Sequence, residues 1–277
     1  MNRKRGKVIA IIVCLAMVST VFLSTPVGAI SGQKVNLNKW TTENYYYTGN
    51  WSVSSNHNSV TQLETYANVI TVFYSDFPAY NTQLEGTIAV RSSAGDDDYI
   101  GFVIGFQPGD SSNSTADYLL IDWKKNNQYA NGGWAYRGLA VSRVTGVPTT
   151  TLADFWRHIG AVTEIARGMT LGNTGWVHGQ EYVFTIEFTP NSLKVYVDDV
   201  LQFDITGSFS DGRFAFYDFS QRDVTYSNFT VQAITEAISP GWDEGNKTGW
   251  DNLTPPGLDN NDKTPPGFVE GNKTGWD

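Results

Sequence analysis

Asp96, Asp97 and Asp98 stand side by side and run directly into the apolar stretch Tyr99 to Phe106. Three adjacent carboxylates repel one another, so the cluster is either a solvated guard at the mouth of a strand or half of a cation site. Calcium is the ion that the second reading requires: it is hard and takes six to eight oxygens at about 2.3–2.6 Å from carboxylates, carbonyls and water. Successive side chains of a strand point to opposite faces. The three aspartates can therefore share one ion only from a turn, and an extracellular site of this kind is weak, with a Kd on the order of 0.1–1 mM.

Aromatic rings offer a second chemistry. Trp123, Tyr129, Trp134 and Tyr136 lie among Asn126, Asn127, Asn131 and the pair Gly132, Gly133. That is the composition of a loop, whose ring faces either stack on a sugar or fold back to cap the edge of a sheet. Catalysis has a weaker basis. Glycoside hydrolysis needs two carboxylates in one cleft; Glu181 and Glu187 fall on one face of one strand, and Glu187 reads as a solvated residue rather than a nucleophile. His57, His158 and His178 are scattered along the chain, which argues against a triad or a zinc site. His57 reads as a turn residue and His158 as packing beside Trp156. The chain is expected not to be an enzyme.

Strands must position these groups. Tyr99 to Gln107 and Tyr118 to Trp123 are apolar runs rich in β-branched and aromatic residues, as buried neighbours in one antiparallel sheet would be. Tyr182, Phe184, Ile186 and Phe188 alternate with Thr185 and Glu187, the pattern continues through Leu193, Val195 and Val197, and Val200 to Ile205 returns after Asp198 and Asp199. This predicts a hairpin meander. Further short strands are read around Trp51, Val60 to Tyr66, Val69 to Tyr74, Gly86 to Arg91, Arg213 to Gln221 and Val224 to Val231. Leu152 to Ala166 alone has helical character, as an excursion between strands. Eleven or twelve short strands without interleaved helices predict an all-β fold, a two-sheet antiparallel β-sandwich of jelly-roll type.

Composition bounds the setting. Arg3, Lys4, Arg5 and Lys7 precede an apolar run from Val8 to Leu23 and a small-residue site ending at Ala29, so residues 1–29 read as a secretory signal. The one cysteine, Cys14, lies in that signal, and the exported chain must be stabilised by its core or by metal rather than by disulfides. Removal of the four signal cations leaves 15 basic against 28 acidic residues, a net charge near −13. Nucleic acid and anionic membranes are poor partners for such a charge; cations and neutral or basic partners fit better. Residues 30–235 are expected to form the sandwich. Residues 236–277 change to Gly, Pro, Asn and Asp, with Glu244 to Asp251 repeated word for word as Glu270 to Asp277, and read as a disordered tail or linker without a membrane anchor.

Taken in order, several of these segments resemble the thrombospondin C-terminal domain family, a lectin-like β-sandwich of the concanavalin-like class. The family's three aspartates, aromatic residue and Gly-Phe-x-x-Gly stand as Asp96 to Gly105, its Trp-Lys strand as Leu119 to Lys124, its Trp-His-x-Gly element as Trp156 to Gly160, its Gly-Trp as Gly175 and Trp176, and its final Gly-Arg strand as Gly212 to Gln221. The resemblance runs over residues 37–232. It implies a non-catalytic, calcium-binding module for cell adhesion or matrix contact, with an extracellular protein or glycan as partner. It also singles out the segment Phe219 to Gln221, and the neighbouring Asp218 is taken as the distant calcium ligand that joins Asp96, Asp97 and Asp98. The Cys-rich calcium repeats that precede the family's domain are missing, and Asp117 and Asp122 stand where a receptor-binding segment of relatives carries Arg and Met. The rival readings are a carbohydrate-binding module using Trp123, Tyr129, Trp134 and Tyr136, and a concanavalin-like glycoside hydrolase.

Overall fold

The computed structural model describes residues 32–234. The predicted signal, 1–29, and the repetitive tail, 236–277, lie outside the described residues. In chain order the strands are β1 (Gln33–Lys34), β2 (Thr41–Tyr46), β3 (Trp51–Val53), β4 (Ser59–Gln62), β5 (Ile70–Pro78), β6 (Thr82–Val90), β7 (Tyr99–Phe106), β8 (Asp117–Lys124), β9 (Gln128–Ala130), β10 (Gly133–Ala135), β11 (Gly138–Thr145), β12 (Val162–Arg167), β13 (Glu181–Thr189), β14 (Ser192–Val197), β15 (Val200–Thr206), β16 (Arg213–Phe219) and β17 (Val224–Ala233). One helix, α1, spans Thr151–Arg157.

The first sheet runs β15-β14-β13-β6-β17-β4-β3, with β1 also on β17; the second runs β12-β11-β8-β7-β16-β5-β2; β9 and β10 form a separate hairpin. The fold is thus the expected two-sheet antiparallel sandwich. The meander stands as read: Tyr182, Phe184, Ile186, Phe188, Leu193, Val195 and Val197 are all buried. Strands exceed the expected number because the short pieces β1, β2, β9 and β10 and the pair β11 and β12 also join ladders. The helical excursion is shorter than predicted. His158 adopts φ 51° as the helix cap and Gly160 follows at φ 62°. Those left-handed residues stop the helix, and Val162 to Arg167 pairs with β11 instead.

Strand alternation gives the second sheet two buried faces. Its inner face, with Ile100, Phe102, Ile104, Leu119, Ile121, Trp123 and Phe216, packs against the first sheet. Its outer face, with Tyr99, Val103, Leu120, Tyr217 and Phe219, is covered by Phe155 and Trp156 of α1. Hence all eight residues of β7 are buried, as its unbroken apolar run predicts.

Candidate functional site

The ladder register gathers the residues of interest at one end of the second sheet. Gly138 pairs with Lys124, Lys124 with Tyr99, Tyr99 with Phe219, Phe219 with Ile70, and Ile70 with Tyr46. The acidic turn enters this rim at Tyr99 and the aromatic segment leaves it after Lys124. The two groups singled out in the sequence are therefore neighbours, one strand apart.

The turn is nailed down through its backbone. Gly95 and Asp96 take φ 67° and 66°, and Asp96 Oδ1 accepts from the Asp97 N–H at 2.9 Å. The Asp98 N–H donates to Gln221 Oε1 at 3.1 Å, and Trp176 Nε1 donates to the Asp98 carbonyl at 3.1 Å. One carboxylate oxygen from each of Asp96, Asp97 and Asp98 lies within 4.8 Å of the others. A single calcium ion, with oxygens at about 2.4 Å, can span that spacing. The donor set fits the ion.

Asp218 does not join that set, which corrects the expectation for it. Its side chain points inward from β16 and is fully buried, with Oδ1 accepting from Gln62 Nε2 of the first sheet at 2.9 Å. Burial holds its carboxyl well above the usual carboxylate range, only partly offset by Gln62.

A residue that sequence reasoning passed over sits at the turn. Lys124 is fully buried, and its Nζ donates to the Asp97 carbonyl at 2.6 Å, Asp97 Oδ1 at 3.1 Å, Asp98 Oδ1 at 3.0 Å and Gln128 Oε1 at 2.7 Å. The ammonium also lies 4.7 Å from the ring centroid of Trp156 and 5.8 Å from that of Tyr99, a cation–π cage. Burial pushes the Asp98 carboxyl up to about 6, and Lys124 offsets part of that rise. The inner oxygens of the turn thus already have a resident cation. The signal for it was a lysine in a buried strand, and buried charges have partners.

Beside it lies an ionic chain. His158 Nε2 is 2.8 Å from Asp122 Oδ2 and Nδ1 is 3.2 Å from Glu164 Oε2, while Arg167 donates to both Glu164 oxygens at 2.9 and 2.6 Å. Burial pulls the imidazole down, but the Asp122 charge and the two carboxylate bonds outweigh it and push His158 up to about 9. Burial raises Glu164, yet His158 and Arg167 bring it down to about 2. Reading His158 as partnerless packing is therefore corrected: it is a charged link between strands. With both ring nitrogens bonded to carboxylates, it has no free lone pair for general-base work.

The aromatic segment splits. Trp123 is in the core, 1% exposed, donating Nε1 to the Thr174 carbonyl at 2.7 Å and packing edgewise on Tyr182. It presents no face to a ligand, because it alternates with the outward Asp122 and Lys124 on β8. Tyr129, Trp134 and Tyr136 are 64%, 51% and 57% exposed. Asn131 and Gly132, at φ 50° and 77°, form the two-residue turn of the β9–β10 hairpin. Tyr129 pairs directly with Trp134, ring centroids 5.5 Å apart. Gln128, the first residue of the same hairpin, is the one that accepts from Lys124.

An antiparallel sandwich with an acidic, aromatic rim is the class that fold and site define. Residues 46–235 match the family model described as the thrombospondin C-terminal region, and the chain belongs to that family. Thrombospondin-3b of Danio rerio is 28% identical over 197 residues, which cover 65% of this chain and 20% of that protein; the chain spans about a fifth of that relative's length. Among solved structures, a Bacillus subtilis protein of unknown function with a galectin-like fold superposes at TM-score 0.50 with 9% identity, over 74% of this chain and 95% of the other. That likeness concerns the fold alone. A carbohydrate-binding module from Bacillus subtilis superposes at TM-score 0.49 with 15% identity over 70% of this chain and 96% of that one, too loosely to carry an argument.

Proposed function

We propose that this chain is an exported, non-catalytic binding module that engages an extracellular protein or glycan through the aromatic hairpin, in cell adhesion or matrix contact, with calcium at the acidic turn. The observation that carries the reading is the Lys124 to Gln128 hydrogen bond of 2.7 Å, which ties three exposed aromatic rings to the turn. The net charge near −13 after export supports cationic or neutral partners over nucleic acid. Calcium would be held by Asp96 and by the oxygens of Asp97 and Asp98 that Lys124 leaves free. Because Lys124 competes for this turn, affinity belongs at the weak end of the range, with a Kd on the order of 1 mM. Absence of turnover is supported by Glu187, which lies opposite Lys194 and Gln83 across the ladder rather than opposite a second carboxylate.

A Tyr129→Ala/Trp134→Ala variant tests the proposal on an array of glycans and extracellular-matrix proteins. Binding by wild type that disappears in the variant, at unchanged melting temperature, is the expected result. Hydrolysis of any polysaccharide that Glu187→Gln abolishes would overturn it.

A further inference from the structure

A second hollow at the same rim belongs to neither the turn nor the hairpin. The loops after β2 and β4 enclose an open cleft of about 600 Å³ lined by Tyr47, Thr48, Glu64, Tyr66, Ala67 and Asn68, within the size range of small-ligand sites. Tyr47 and Tyr66 are 62% and 74% exposed. Tyr47 sits at φ 54°, a left-handed backbone that a bulky side chain adopts only when its surroundings enforce it. They do. Gly49 donates to Asn44 Oδ1 at 2.9 Å and is pressed against Thr71, where a Cβ would come within 2.5 Å, while the Leu63 N–H donates to the Asn50 carbonyl at 2.8 Å. The opposite wall is held as firmly. Glu64 Oε1 accepts from the N–H groups of Thr65 at 2.7 Å and Tyr66 at 3.1 Å, and the Asn68 N–H donates to Ser220 Oγ at 2.7 Å. The backbone of both walls is thus fixed, at a conformational cost at Tyr47, while both rings stay largely exposed.

A third ring stands beside Tyr47. Tyr46 packs edgewise on Tyr47 with ring centroids 4.6 Å apart. On its far side Tyr46 lines another hollow of about 380 Å³ with Thr149, Thr150, Thr151 and Asn131, the turn residue of the aromatic hairpin. Aromatic faces spaced along hydroxyl and amide groups match the alternating apolar faces and hydroxyl edges of linked sugar rings. Among the described residues the two linings contain one carboxylate and no basic residue, so sulfated or uronic chains find no counter-charge there.

We infer that Tyr47, Tyr66 and Tyr46 form an extended groove that binds a neutral oligosaccharide of several sugars, stacked on the tyrosines and hydrogen-bonded by Asn68, Thr48 and the threonines after Pro148. The inference rests on reading the chain as a binding module and adds a site built on other rings, which meets the hairpin only at Asn131.

Calorimetry with neutral gluco-, manno- and xylo-oligosaccharides of two to six units tests it on wild type, Tyr66→Ala, Tyr46→Ala and Tyr129→Ala/Trp134→Ala. Expected are affinity that rises with chain length and a loss of at least tenfold in Tyr66→Ala and Tyr46→Ala at unchanged melting temperature. Three outcomes overturn the groove: no binding of any of these oligosaccharides by wild type, binding lost in the hairpin variant but intact in both tyrosine variants, and preferential binding of a Lys-rich peptide that Glu64→Gln abolishes. The second of these leaves the hairpin proposal standing, so the two readings fail separately.

Discussion

The two faces of the second sheet bury opposite chemistry within the thickness of a single strand. On the inner face Phe102, Ile121 and Phe216 belong to the main apolar core, with Phe216 stacked on Tyr226 at 4.2 Å, and Asp218 is the buried carboxyl among them. On the outer face Asp122 and Lys124, one residue along the same strands, and His158 at the helix cap have buried side chains, each paired with a group of opposite sign or an oxygen acceptor. The inner face is stabilised by the area it removes from water, a term indifferent to pH and salt. The outer face is held by a network whose worth depends on every member being present. Stability in this molecule should therefore respond to titration and ions chiefly through the outer face, with the buried Asp218 as the titrating group on the inner one.

The strongest way to break the comparison is Phe102→Ala. Deleting a fully buried ring in the main core should cost about 3–5 kcal/mol, a fall in melting temperature of about 10 °C for a domain of this size. The shift should be the same at pH 5.5 and pH 8. A loss that changed with pH would mean the two faces are not independent.

Next is His158→Gln, whose effect should follow pH. The folded His158 pKa is raised to about 9, so its contribution is complete below its unfolded value of about 6.5 and is lost as pH rises through about 9. Glu164, lowered to about 2, contributes above about 4.5 and loses that contribution as pH falls toward 2. Wild type should exceed the variant by about 3 kcal/mol between pH 4.5 and 6.5, with the gap narrowing toward pH 9. Denaturant titrations at four pH values measure this, and a constant gap would show that the imidazole only fills space.

Lys124→Met sharpens the ionic side. Without its ammonium, Asp97 and Asp98 lose their charged hydrogen-bond donor, and the variant should lose about 2–3 kcal/mol in chelator. Calcium should then repay more of that loss than it gives wild type: about 1.4 kcal/mol at 1 mM calcium if the Kd falls to about 0.1 mM. For wild type, with a Kd of about 1 mM, the same calcium adds about 0.4 kcal/mol, or about 1 °C. Paired melts with calcium and with chelator distinguish these, and an equal response in both proteins would remove Lys124 as a competitor. The response should also fade below pH 6, where Asp98 takes up a proton.

The smallest effect on stability belongs to the rim. Tyr129→Ala and Trp134→Ala remove exposed rings, so the melting temperature should move by less than about 0.5 kcal/mol equivalent while partner binding falls. A large destabilisation would mean that the hairpin is part of the fold rather than a surface for recognition.

Much of this was legible from residue order. Alternation along Glu181–Thr189 and Ser192–Val197 named the inward side chains correctly, the unbroken apolar run of β7 announced a strand buried on both faces, and Asp96 to Asp98 marked a turn. These are local statements: a period of two or a left-handed turn residue constrains its immediate neighbours wherever the segment ends up. Trp123, Asp218 and His158 were misread for the complementary reason. Whether Trp123 or its neighbour Lys124 faces the main core depends on a register in which a slip of one residue exchanges the faces. Asp122 lies 36 residues from His158, Asp97 lies 27 from Lys124, and Gln62 lies 156 from Asp218. The sequence by itself determined an acidic, all-β chain with an aromatic loop and a carboxylate turn. Only the tertiary structure decided that a lysine fills the inner side of that turn, and that two separate loops set Tyr47 and Tyr66 around one cleft. Such contacts join segments with no local pattern in common, and ladder register across the whole sheet is what brings them within reach.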